Sequence, residues 1–68
     1  MFYEFLTNKN EKVSIKIEAI LFITELKNNK ACIFDIYGNE YITSIPYADI
    51  MEDISNLIKE NGISFKNL

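Results

Sequence analysis

The chain has 68 residues, a formal net charge of −3, one cysteine and no histidine. This length allows one domain, residues 1–68, and its 49% hydrophobic and 25% charged residues are typical of a folded chain. A single cysteine excludes a disulfide framework, which favours a reducing, cytoplasmic setting. The longest apolar run, residues 19–23, is far shorter than the roughly 20 residues of a membrane span, so no membrane association is expected.

Five segments have the aromatic, β-branched or alternating composition of β-strands. The predicted strands are 2–6, 12–17, 20–26, 31–37 and 40–44. Asn28-Asn29 and Gly38-Asn39 predict tight two-residue hairpin turns between the last three strands, since Asn and Gly tolerate positive φ.

A helix is predicted over residues 46–61, because apolar residues there recur on one helical face. They are Tyr47, Ile50, Met51, Ile54, Leu57 and Ile58. Pro46 suits the first turn and Gly62 is placed to end the helix, leaving residues 63–68 as a tail or edge strand. The predicted fold class is α+β: an antiparallel meander of four to five strands, open or curled into a small barrel, followed by one amphipathic helix.

Two-residue turns would make both faces of the sheet apolar. One face would carry Leu21, Ile23, Cys32, Phe34, Ile36, Tyr41 and Thr43, and the other Ile20, Phe22, Leu26, Ala31, Ile33, Tyr37 and Ile42, with Asp35 among them. One helix covers one face, so the other requires a curled sheet, a second copy or a partner protein. The predicted partner interface consists of Ile20, Phe22, Ile33, Tyr37 and Ile42. A homodimer is expected because the chain is short for a self-sufficient core.

No catalytic site is predicted, since the lack of histidine removes the usual general base and the Ser-His and Cys-His nucleophile systems. Cys32 is interpreted as a buried apolar residue. Asp49, Glu52 and Asp53 predict an acidic helix face, which is solvated surface in the simplest interpretation; a hard-cation site and a mimic of DNA phosphates are the alternatives. No metal, cofactor or small-molecule substrate is expected.

Residues 16–25 resemble the opening of LytTR-type DNA-binding domains, and the Gly38-Asn39 hairpin and the helix after Pro46 continue that pattern. The resemblance implies a nucleic-acid-binding transcription regulator. Residues 65–68 fall where that family begins its basic segment, whose Arg and His residues have no counterparts in this chain. The acidic balance also argues against charge-driven nucleic-acid binding, without excluding a local lysine patch.

A second resemblance is to small flagellar and swarming-motility proteins. It is carried by Leu6-Thr7 before the first turn, a Gly hairpin with Tyr41 and the terminal helix, although Asn28-Asn29 stands where those proteins have "PDT". This resemblance implies a motility or assembly accessory subunit.

The leading hypothesis is a small regulatory or inhibitory protein without enzymatic activity. The chain is small and acidic, and it is rich in Ile, Asn and Lys, whose codons are AT-rich. These features suggest a phage or mobile-element protein that blocks a host or defence protein. In this hypothesis Phe22, Ile33, Tyr37 and Ile42 bury apolar area against the partner, while the acidic helix face selects a basic partner surface.

Overall fold

The computed structural model describes residues 1–60, which form five antiparallel strands followed by one helix. The elements are β1 Phe2–Leu6, β2 Lys12–Lys16, β3 Ile20–Glu25, β4 Lys30–Asp35, β5 Glu40–Pro46 and α1 Tyr47–Glu60, with a 3-10 turn at Ile17–Ala19 between β2 and β3. The α+β fold class predicted from the sequence is confirmed.

The strands form two sheets that meet at one point. β1 pairs with β2, and β3, β4 and β5 form a three-stranded sheet in that order. An isolated bridge between Thr7 and Thr43 links the sheets, where the Asn8 N–H donates to the Ile42 carbonyl oxygen at 2.9 Å. Among residues 1–60 no strand pairing closes these sheets into a barrel.

All three hairpins use the same three-residue loop, whose third residue adopts the left-handed conformation. That residue is Asn10 (φ 62°), Asn29 (φ 68°) or Gly38 (φ 87°). The prediction of two-residue turns at Asn28-Asn29 and Gly38-Asn39 is therefore wrong. A type I turn followed by a left-handed residue is the second common hairpin solution, and its Asn and Gly preferences overlap those of the two-residue turns.

The longer loops change the register of the sheet. Phe22 pairs with Phe34, and Cys32 pairs with Ile42. Because side chains alternate between the two faces of a strand, a shift of one residue moves every side chain of that strand to the other face. The predicted faces of β3 and β5 relative to β4 are thus exchanged. The predicted strand 31–37 also runs past the observed end of β4, since Ile36 and Tyr37 belong to the loop.

The helix packs on one face of the three-stranded sheet, which we call the inner face. Ile50 has no exposed area and Ile54 is 8% exposed, and both belong to one apolar cluster with Ile33 of β4. The remaining buried members of that cluster are Tyr3, Phe5, Ile15, Ile17 and Ala31. Within residues 1–60 no helix is both long enough and apolar enough to span a membrane.

Two sequence predictions fall outside the residues that the structure describes. They are the helix end at Gly62 and the tail or edge strand over residues 63–68.

Candidate protein-binding face

The side of the three-stranded sheet opposite α1 carries an exposed apolar surface, which we call the outer face. Two cross-strand rows define it: Phe22, Phe34 and Glu40 form one row, and Thr24, Cys32 and Ile42 form the other. Ser44 follows on β5 and is exposed between the buried Thr43 and the half-buried Ile45, where the register of β4 and β5 is irregular. Phe22 is 47% exposed and Ile42 is 43% exposed, although both are large hydrophobic residues.

Two aromatic rings form the centre of the outer face. Phe22 and Phe34 stack with their centroids 4.4 Å apart and their planes 21° from parallel. Such a pair is worth about 1 kcal/mol beyond the area it buries. The stack favours this arrangement of the two rings, so the face presents a continuous aromatic surface across β3 and β4.

Cys32 lies between these larger residues as a protonated, apolar part of the face. It is only 4% exposed. Burial and the nearby Glu40 charge raise the pKa of its thiol, and they outweigh the lowering effect of a backbone hydrogen bond from Tyr41. A raised pKa disfavours the reactive thiolate, so the geometry suits packing and not nucleophilic chemistry.

The structure distributes the predicted interface residues over three environments. Phe22 and Ile42 share the outer face. Ile33 has no exposed area, and the half-buried Ile20 packs against the same core. Tyr37 is 75% exposed in the loop between β4 and β5.

Sequence reasoning placed Phe34 on the opposite side from Phe22, so it missed the aromatic stack. The missing information was the length of the hairpin loops. One available signal was Asp35, which lies four residues before Asn39. An aspartate at the first position of a turn commonly accepts hydrogen bonds from the backbone of that turn.

Asp35 organises the loop that ends β4. Its carboxylate accepts hydrogen bonds from the backbone N–H groups of Tyr37 and Asn39, both at 2.9 Å. The Asn39 side-chain amide donates at 3.0 Å and the Tyr41 hydroxyl at 3.3 Å. Burial alone would raise the pKa of Asp35, but these donors stabilise the carboxylate and the pKa is lowered. The network fixes the loop that carries the exposed Ile36 and Tyr37.

The predicted acidic helix face, Asp49, Glu52 and Asp53, is exposed to solvent. The Tyr3 hydroxyl donates to the Asp53 carboxylate at 3.1 Å, which ties β1 to α1. Burial, and then the negative charge of Asp53, raise the pKa of Tyr3 well above its usual range. Within residues 1–60, no group of three or more Asp, Glu or Cys side chains is arranged to hold a metal ion.

The acidic helix face and the outer face lie on different sides of the molecule. Ile50 and Ile54 of α1 contact the inner face of the sheet, whereas Phe22 and Ile42 project from the opposite side. The structure therefore does not bring together the apolar and acidic parts of the predicted interface.

Comparisons with protein-family models, curated proteins and solved structures found no match. The resemblances to LytTR-type domains and to motility proteins stay predictions.

Proposed function

We propose that this chain is a small non-enzymatic regulatory or inhibitory protein that binds another protein through its outer face. The observation that carries the proposal is the exposure of Phe22, which stacks on the half-buried Phe34, and of Ile42 on a sheet face that α1 does not cover. Exposed aromatic and aliphatic groups clustered on a rigid sheet are typical of the centre of a protein interface.

The chemistry of the outer face supports a largely apolar partner surface. Glu40 is the one charged side chain in the two cross-strand rows, and it stands at the end of the aromatic row. Interfaces have an apolar centre depleted of charge and a polar rim. Thr24 and Ser44, which are both exposed, supply such a rim.

The acidic helix face is not part of this proposed interface, because it points away from it. A partner seated on Phe22 and Ile42 would cover the sheet and leave Asp49, Glu52 and Asp53 in solvent. Binding by the outer face is therefore expected to depend weakly on salt, since little of its contact would be ionic.

The test is a pull-down with tagged protein from host lysate, with and without nuclease, read by mass spectrometry. The variant is Phe22→Ser. The matched control is Phe2→Ser, which removes the same side chain from β1, where Phe2 is 57% exposed. We expect one dominant protein that survives nuclease, is retained by Phe2→Ser and is lost with Phe22→Ser.

Two results would contradict the proposal. One is retention of the captured protein by Phe22→Ser at the wild-type level. The other is recovery of DNA with only nuclease-sensitive companions, which would instead support a LytTR-like regulator.

A further inference from the structure

Strand β3 is an exposed edge of the three-stranded sheet. Among residues 1–60 it pairs with β4 alone. Four of its six residues, Leu21, Phe22, Thr24 and Glu25, are exposed, whereas the central strand β4 has four buried residues of six. It contains no proline or lysine, two residues that commonly protect an edge from pairing, and its one irregularity, between Ile20 and Phe22, lies at the start of the strand, before Ile23, Thr24 and Glu25.

The backbone of β3 presents hydrogen-bonding groups to the free side. The Leu26 N–H donates to the Lys30 carbonyl oxygen at 2.7 Å, so Leu26 and Lys30 form a hydrogen-bonded pair. Such pairs alternate along an antiparallel ladder, which makes Thr24–Cys32 and Phe22–Phe34 the next hydrogen-bonded pairs. The N–H and C=O groups of Ile23 and Glu25 therefore point away from β4, toward the open edge.

The sequence of β3 fits an antiparallel copy of itself. With Ile23 opposite Ile23 of the second copy, Phe22 stands opposite Thr24 and Leu21 opposite Glu25. The one charge on the strand, Glu25, then faces an apolar residue, and the two Glu25 side chains lie roughly 13 Å apart along the ladder, at 3.3 Å per residue. A parallel arrangement would place the two carboxylates side by side, where like charges repel.

We propose that two copies of this chain pair antiparallel along β3, about a twofold axis at Ile23, to form a continuous six-stranded sheet. The pairing satisfies the outward N–H and C=O groups of Ile23 and Glu25. It places the two Phe22 side chains diagonally across the axis on the same side of the joined sheet. The two outer faces thereby become one apolar surface with stacked aromatic pairs on both sides of the axis.

The test measures the oligomeric state by sedimentation over a concentration series, with Thr24→Lys as the variant. Thr24 is exposed and faces the proposed seam, so two lysines per dimer would lie beside Phe22 of the other copy. The matched control is Ser44→Lys, which adds the same charge to an exposed position of β5, the strand at the other edge of the sheet. We expect a wild-type dimer, a dissociation constant raised about tenfold or more by Thr24→Lys, and a change within about twofold for Ser44→Lys.

Amide hydrogen exchange distinguishes edge pairing from stacking of the two outer faces. Edge pairing predicts that the Ile23 and Glu25 amides exchange more slowly in the wild-type dimer than in monomeric Thr24→Lys. A wild-type protein that stays monomeric overturns the proposal, and so does a dimer in which these amides exchange as in the monomer. Neither result depends on the capture of another protein, so this proposal and the proposed function fail separately.

Discussion

Asp35 stabilises the exposed loop between β4 and β5. Its carboxylate receives four hydrogen bonds from three residues, all within the β4–β5 hairpin. Hydrogen bonds to a charged acceptor are stronger than those between neutral groups. The loop that carries Ile36 and Tyr37 therefore depends on Asp35 being ionised.

The lowered pKa of Asp35 predicts a pH dependence of stability. A carboxyl group with a lower pKa in the folded state stabilises the fold above its unfolded pKa, which is about 4. That contribution is lost as the pH falls through the folded-state value. Asp35→Asn is expected to lower the urea midpoint of unfolding at pH 7. The unfolding free energy of this variant should also fall less steeply than that of the wild type as the pH is lowered. Urea unfolding from pH 7 to pH 3 measures both effects, and equal acid-side slopes for the two proteins would contradict this role.

At the scale of elements, the strands and helix could be predicted from the sequence, whereas the register could not. Apolar residues alternate with polar ones at Val13, Ile15 and Ile17, and they recur at helical spacing around Ile50 and Ile54. Both patterns arise because one side of the element is buried, so they can be read from the order of the residues. The register depends on whether a loop has two or three residues, and Asn29 and Gly38 suit both. A shift of the register by one residue moves the side chains of a strand to the other face. The stack of Phe22 on Phe34 therefore could not be predicted from the sequence pattern.

Gly38 provides a test of the left-handed backbone conformation in the loop between β4 and β5. A Cβ added there would meet no atom within 4 Å, so Gly38→Ala introduces no clash with the rest of the fold. At φ 87° the cost is backbone strain alone, and we expect a loss of about 1 kcal/mol of unfolding free energy. Asn29→Gly is the matched control, because it relieves a left-handed residue and should leave stability unchanged or slightly higher. An unchanged stability for Gly38→Ala, measured by chemical denaturation, would argue against the left-handed conformation of Gly38.

At the scale of the whole molecule, the sheet separates a structural side from an exposed side. Ile33 and Ile50 lie without exposed area between the sheet and α1, while Phe22 and Ile42 keep nearly half of their surface in solvent. We expect Ile33→Ala to cost about 3 kcal/mol of unfolding free energy, as is usual for a large-to-small change in a core. Phe22→Ala should cost about 1 kcal/mol, through loss of the ring stack. Comparable losses for the two variants would contradict this division of the sheet.

The separation of the sheet into an inner and an outer face explains why only part of the predicted interface lies on one surface. Phe22 and Ile42 remain together because an exchange of both outer strands relative to β4 preserves their relation to each other. Ile33 stays on the inner face with the core, and Phe34 takes the place beside Phe22. The acidic residues of α1 were predictable as an exposed group, but their position relative to the sheet depends on which face the helix covers.

Site-specific photo-crosslinking in cells tests whether the outer face is the surface that binds another protein. A benzophenone amino acid replaces Phe22 in one protein and Phe2 in a second, since both positions hold an exposed phenylalanine on different sheets. We expect an adduct with a distinct protein from position 22 and none from position 2. Adducts between two copies of this chain are recognised by their doubled mass. A distinct protein captured from position 2 and not from position 22 would show that the outer face is not the binding surface.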